Sequence, residues 1–474
     1  SSYWEGLELD NPSQIKKIGW LPEGGTDYLF GIFEGANLDN FMDALPLYMI
    51  KSNDYSKTGM NYFQVSVTRP FKYIRYVSPK GQSSLTGFEV YGVAATNTNN
   101  NEDENVENVY QLTNIPLISI HTDGKINFRK KANKTTCNII VIDKGKINQN
   151  KGGSIRIRGN SSKDLEKKSF QIKFDKKTNV LDMPAKAKKW GLLANHMDKS
   201  LIRNLVAFKI ASLLGQKYSP ACKSIDLMLD GVYEGNYNLC DKIERGEKRV
   251  EIDEMNENSL GSQEITGGYL MEIDGFANES PYHFRSAKGV LVTIKYPDAA
   301  AQQIEYLKSW FDELEEKIYN EKTVANIDLE SFSQYFILLE FCADIDSVWS
   351  SYYVTKQRND NKLYFGPGWD FDLSLDNDRR LYPTNELGNW IFNYGLSAGT
   401  FRQFISNLMS CPDTLKAVQS KWKDVTISDF TKEKVFQFID NQINLMKESV
   451  QLNFKKWDVL NKKLKYEAVA RGTY

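Results

Sequence analysis

The sequence predicts an α+β protein: a β-rich half, then a helix-rich half, preceded by a small antiparallel β-sandwich. Three observations carry this. Short alternating segments with Gly and Pro punctuation fill the first 95 residues. A polar, acidic stretch, TNTNNNEDENVE, interrupts the pattern at 96–107. Beyond it strand-like alternation comes first, and helical stripes dominate from Asp298 onward. Strands followed by helices is the α+β order and unlike a doubly wound sheet. A length of 474 residues fits two or three domains. The expected division is a sandwich at 1–95, a linker at 96–108 and a large domain at 109–474.

Each element follows from its local pattern. YFQVSVTRPFKYIRYVSP and GFEVYGV read as sandwich strands. After the linker, IPLISI, CNIIVID, GSIRIRG and KSFQIKF read as strands again. DKSLIRNLVAFKIASLLG is a helical run ended by Gly215. SIDLMLDG and VYEGNYNLC are two further strands, and GGYLMEID with GVLVTIKYP forms a β insert. Ile304, Leu307, Phe311, Leu314 and Ile318 fall on one helical stripe. Residues 328–342 give a second apolar helix. Val435, Ile439, Ile443 and Met446 make a third stripe, with Ser428 or Asp429 as its N-cap.

Composition removes several function classes. Lys and Arg number 60 against 61 Asp and Glu, a net charge of −1, which disfavours a basic nucleic-acid binder. His121, His196 and His283 lie far apart, and neither CxxC nor HExxH occurs, so zinc sites of those kinds are excluded. No apolar run approaches the roughly 20 residues needed to span a bilayer. No signal peptide is visible, and a start at Ser1 points to processing or to a trimmed chain. Five scattered cysteines allow at most two disulfides with one thiol over.

Three constellations carry chemistry. In GPGWDFDLSLDN, Trp369, Phe371 and Leu373 alternate with Asp370 and Asp372. In an extended segment those two carboxylates share one face. Their repulsion calls for a cation or for solvent between them, so the segment is either a magnesium site or a solvated acidic turn. Asp346, in ADIDSVWSSYY, closes an apolar helix 24 residues upstream of Asp370. A base at a helix end, a strand hairpin and then a metal-binding Asp is the kinase order. Alternatively, Asp346 simply faces solvent. Upstream, SIRIRGNSSKDLEKKSFQIKF is a Gly/Asn/Ser turn between strands. Its backbone N–H groups can face phosphates within reach of Lys167, Lys168 or Lys173, although Lys-rich hairpins are commonly only solvated surface. The P-loop pattern is absent.

These stretches, with LLANHMDKSLIRNLVAFKIA, YSPACKSIDLMLDGVYEGNYNL, GGYLMEID and KYPD, occur in one order over some 260 residues. From about Asn114 to Asn377 the chain resembles the CotH family, the spore-coat atypical protein kinases and their secreted relatives. The resemblance implies an atypical protein-kinase-like fold, with a β-rich N-lobe and a helical C-lobe, using ATP and Mg²⁺ or Mn²⁺. Carried over by position, Asp346 is the catalytic Asp and Asp370, with Asp372, the metal ligand. Lys168 contacts phosphate, with Lys167 close behind. Arg158, Asn160 and Ser161 form the turn over the nucleotide, and Asp241 lies in the connection beside the adenine. Two departures stand out. Ser351 occupies the place of the kinase Asn, five residues after Asp346, and the helix at 201–214 contains no acid. The partner of the lysine then falls to Asp198, Asp241 or Glu272.

Residues 1–95 resemble discoidin-like domains of the coagulation factor C type, with the opening strands short or absent. Such β-sandwiches often bind carbohydrate or lipid. Trp4, Trp20 and Tyr28 either face a sugar ring or pack the core. The whole reads as a secreted or cell-surface atypical Ser/Thr kinase acting on a protein substrate or on itself, with no nucleic acid and no membrane span. The alternative is a catalytically weak adhesin with a glycan ligand at the sandwich. A glycosidase using Glu272/Asp274 or Asp370/Asp372 is a third reading, weakened because neighbours on one strand rarely bracket a bond from opposite faces.

Overall fold

A computed structural model describes residues 3–79, 81–95, 107–124, 126, 133–159, 164–394 and 399–469. The expected linker at 96–108 therefore lies almost wholly outside the described residues, as do Asn160 and Ser161. The architecture is mixed α/β, mostly β, with several antiparallel sheets and six α-helices among the described residues. It divides into two compact units that interleave along the chain.

The first unit comprises Ser1–His196, Lys223–Cys240 and Asn444–Asp458. Its leading sheet has six strands: β1 (Tyr3–Pro22), β2 (Ile32–Ala36), β3 (Leu45–Met49), β4 (Asn61–Gln64), β5 (Pro70–Ser78) and β6 (Leu85–Ala94). β1 runs for 20 residues, so the opening strand is long, contrary to the expectation of a short or missing one. It pairs β5 through Gln14 and β6 from Ser13 onward, with a bulge between Glu8 and Ser13. That kink at Asn11 and Pro12 lets one strand serve both halves of the sheet, because Pro lacks the ladder N–H. Trp20 and Tyr28 are buried with Ile18, Phe33 and Tyr76, so both aromatics pack the core, whereas Trp4 is half exposed.

The same unit holds a closed seven-stranded barrel in the order β10-β11-β13-β12-β7-β8-β9. Its strands are β7 (Leu117–Thr122), β8 (Thr135–Asp143), β9 (Lys146–Ile157), β10 (Phe170–Asn179), β11 (Lys186–Leu193), β12 (Cys222–Leu229) and β13 (Val232–Asp241). β10 pairs β11 and β9, and β8 pairs β7 and β9, all antiparallel, whereas β7 and β12 run parallel. The leading sheet and the barrel share one core: Leu117, Ile140, Met228 and Tyr233 belong to the same buried cluster as Trp20 and Phe33. Phe30 stacks on Tyr233 with ring centroids 5.6 Å apart. Buried Glu34 receives the Arg75 Nε and Nη2 at 2.9 and 2.7 Å, and His121 Nε2 lies 3.3 Å from its other oxygen.

The second unit comprises Met197–Cys222, Asp241–Ile443 and Val459–Tyr474. It contains α1 (Arg203–Leu213), α2 (Ala301–Glu316), α3 (Leu329–Cys342), α4 (Gly399–Met409) and α5 (Pro412–Thr426). Its sheet runs β15-β16-β14-β17-β18, from β14 (Tyr269–Ile273), β15 (His283–Arg285), β16 (Leu291–Tyr296), β17 (Tyr352–Lys356) and β18 (Leu363–Phe365). α1 stops where Gly215 turns to φ +83°, as its sequence indicates. Asp328 caps α3 by accepting the Ser331 N–H at 2.8 Å. α6 (Lys432–Lys456) begins later than expected: Thr431 Oγ1 accepts the Lys434 N–H, Ser428 is spent on the Asp424 carbonyl, and Asp429 pairs Lys434. Cys137, Cys342 and Cys411 are free, and Cys222 and Cys240 are disulfide-bonded.

Candidate functional site

The carboxylates of the second unit are positioned from two sides. α3 ends at Ala343, whose φ of 52° breaks the helix. Asp344 follows, buried, and a short 3-10 turn spans Asp346–Val348. The Ser347 hydroxyl donates to the Asp344 carbonyl at 2.8 Å and fixes that turn. The second side is the segment after β18. Trp369 and Phe371 both pack on Phe208 of α1, with centroids 5.8 and 6.1 Å away. Asp370 is consequently exposed and Asp372 half-buried between and beyond those rings.

The segment is not extended, so the two carboxylates do not share a strand face. Asp370, Leu375 and Asp376 have φ of 71°, 51° and 65°, and the chain turns through 372–377. Side chains of the α1 entry hold this turn. Asn204 Oδ1 accepts the Phe371 N–H at 2.9 Å, and Arg203 Nε donates to the Ser374 carbonyl at 3.0 Å. Asp198 holds Arg203 in turn, at 2.6 Å. Asn377 Nδ2 donates to the carbonyls of Met197 and Asp372, both at 2.8 Å. Leu375 N–H bonds the Cys342 carbonyl at 2.7 Å, which ties the turn to the end of α3.

These constraints bring Asp346, Asp370 and Asp372 into one electrostatic neighbourhood. Burial holds the Asp372 carboxyl well above the ordinary carboxylate range, and Asp370, Asp198, Asp346 and Asp344 push it further. Asp344 is likewise held well above, by burial first and then by Asp346 and Asp370. Arg380 offsets part of this charge. Its Nε lies 2.9 and 3.0 Å from the two Asp378 oxygens, and its Nη2 reaches Asp346. Among the described residues no three His, Cys, Asp or Glu side chains are placed to hold a metal ion as a set.

The basic candidates lie in the first unit. Lys167 is fully buried, donating to the Asn236 carbonyl and, at 2.9 Å, to Asn453 Oδ1, with Tyr237 beneath it. Burial lowers its amine to about 7, against opposition from Glu234 and Asp226. Lys168 donates to the Leu165 carbonyl. Arg158 lies against Gly191, where a Cβ would come within 2.5 Å of its Nη1. Asp241, in the second unit, binds Arg249 at 2.9 Å and accepts the Ala221 N–H at 3.1 Å. The three acids named as lysine partners each hold another cation: Asp198 Arg203, Asp241 Arg249, and Glu272 Lys295. Ser351 has φ 63° and donates its N–H to Glu272 at 3.0 Å.

Sequence reasoning gave Arg203, Asn204, Asn377 and Arg380 no role at the site. Only the charged run DRR at 378–380 carried a signal for Arg380.

A mixed α/β chain with a carboxylate cluster behind an apolar helix is thereby defined. Residues 155–472 match the family model described as CotH kinase protein. The chain belongs to that family. Among solved structures, it is similar to CBM62 from Clostridium thermocellum Xyl5A, with 32% identity over 20% of this chain and 70% of that one, and a TM-score of 0.19. No curated protein matches it.

Proposed function

We propose that this protein is an atypical protein kinase, kinase-like in fold, that transfers the γ-phosphoryl group of ATP to hydroxyls of secreted or surface proteins, or of itself. The observation that carries this reading is the gathering of Asp346, Asp370 and Asp372 in a CotH family member. Asp346 orients the acceptor hydroxyl, and Arg380 fixes the direction of its carboxylate. Asp370 and Asp372 fit a divalent cation because each raises the cost of charge on the other. Mg²⁺ needs only one or two carboxylates, with water and substrate phosphates for the rest. When bound it would supply charge stabilisation for the transferring phosphoryl group. Buried Lys167 anchors the start of β10 to α6. The disulfide-bonded Cys222 and Cys240 favour an oxidising, extracellular setting. Thermal denaturation with and without ATP–Mg²⁺ tests the reading. Stabilisation of about 2.7 kcal/mol is expected at a hundredfold excess over Kd, and a melting temperature unmoved at saturating nucleotide refutes it.

A second reading, a surface-binding protein with a glycan at the sandwich, is favoured by Tyr62. Its ring lies against Gly19, within 2.6 Å of where a Cβ would stand, and both Tyr62 and Tyr91 are exposed beside Lys17. Binding of soluble oligosaccharides with no response to ATP selects it.

A further inference from the structure

Residues 144–189 carry fourteen Lys and Arg against four Asp and Glu, a net of +10 in a chain whose total is −1. The β10–β11 hairpin concentrates part of that charge. Lys173 pairs with Lys189 and Thr178 with Ala187, so β10 sets residues 174–177 against Lys188 alone. The bulge places Lys176 and Lys177 beside Lys188, and Lys186 follows opposite Asn179. Lys176, Lys177, Lys186 and Lys188 are exposed and Lys173 is half-buried. None of these five side chains forms an ion pair or hydrogen bond with another described residue. Asp175, the acid in the same bulge, lies against Gly152, where a Cβ would come within 2.8 Å of its Oδ2. Like charges directly opposite each other across a sheet destabilise it. An external anion relieves that repulsion.

We propose that the outer face of the β10–β11 hairpin docks an acidic, extended segment of the protein substrate, an inference that rests on the kinase reading above. The five cations are all lysines, point charges without the planar forks that read phosphates in pairs. Among the described residues no large apolar side chain is exposed between Ala94 and Ser259. The hairpin itself thus presents neither the aromatic platforms on which bases stack nor the apolar anchors that enter a membrane. Alternate residues on a strand repeat at about 6.6–6.8 Å. Lys186 and Lys188 therefore match alternate Asp or Glu side chains of an extended peptide. The charge is complementary to such a segment and needs no induced pocket.

The test uses the full chain and the exposed-face variant K176E/K177E/K186E/K188E, with poly-L-glutamate as probe and a Ser-containing Glu-rich peptide as acceptor. Poly-L-glutamate is expected to bind at low salt and to be released when the Debye length falls to about 3 Å, near 1 M salt. The variant is expected to lose that binding, to raise KM for the Glu-rich peptide about tenfold or more with kcat retained, and to keep the melting temperature and its shift with ATP–Mg²⁺. Undiminished poly-L-glutamate binding by the variant overturns the proposal. So does binding of duplex DNA or phosphatidylserine vesicles with none of poly-L-glutamate. Poly-L-glutamate binding that the variant abolishes, in a protein whose melting temperature ignores ATP–Mg²⁺, supports the docking face and removes the kinase reading. A normal ATP–Mg²⁺ shift without poly-L-glutamate binding does the reverse.

Discussion

Arg380→Ala tests how the site holds its orienting carboxylate. The guanidinium bridges Asp378, which is buried, and Asp346, which is half exposed. Burial alone would lower the pKa of Arg380, but the hydrogen bond to Asp378 and the charge of Asp346 raise it above its ordinary value. Removing the side chain leaves the Asp378 carboxylate accepting the backbone N–H of residue 380, at 2.8 Å. Breaking a fully buried pair costs about 3–5 kcal/mol. Arg380 is 44% exposed, so solvent screens the pair and the expected loss is about 1–3 kcal/mol. Urea denaturation measures it as a lower midpoint at unchanged slope. Asp378→Asn in the same background should recover part of the loss, because it removes the stranded charge. Turnover in a peptide phosphorylation assay should fall about tenfold, with KM for ATP retained, because Asp346 loses its direction. A stability change under about 0.5 kcal/mol together with full turnover refutes the bridge and its role.

Asp370→Ala should weaken ATP–Mg²⁺ binding and abolish transfer together, whereas Asp346→Asn should keep nucleotide binding and lower turnover by roughly 10²–10⁴-fold, separable by calorimetry and kinetics. Glu34→Ala strands the buried guanidinium of Arg75 and should cost about 3–5 kcal/mol in chemical denaturation, since both partners are largely withdrawn from water. Lys167 has a folded pKa of about 7 against an ordinary 10.5. The unfolded chain keeps that proton longer, so this group adds stability as pH rises from about 7 to about 10.4. Lys167→Met should flatten that rise in pH-dependent melting, and a slope unchanged by the substitution contradicts the burial assigned to the amine.

Much of the helical part was legible because its apolar residues recur at helical spacing and its ends carry local signals. Gly215 closes α1 and Asp328 opens α3 for reasons contained in a few neighbouring residues. β11 was not legible: its lysines alternate with one Ala, and Trp190 becomes a core residue only against Ile172 across the barrel. Barrel closure depends on the parallel pairing of Asp226 with Leu117, a contact across more than a hundred residues that no local pattern encodes. The length of β1 was not legible, because Asn11 and Pro12 are poor strand formers and fall within its bulge. At the site, alternation of Asp with aromatics revealed Asp370 and Asp372 but gave the wrong backbone. The rings do alternate inward, yet Phe208 of α1 holds them in a turn. Arg203 and Arg380 act through partners distant in sequence, Ser374 and Asp346, so their roles appear only once the chain is folded.

The most direct measurement is transfer of a γ-labelled phosphate from ATP to the full chain in Mg²⁺, run beside Asp370→Ala and Asp346→Asn. The account requires label on Ser or Thr in the native protein, none with Asp370→Ala, and a rate lowered by roughly 10²–10⁴-fold with Asp346→Asn. No label on the chain or on added protein acceptors, in native protein shown to be folded, contradicts it, as does equal labelling of all three.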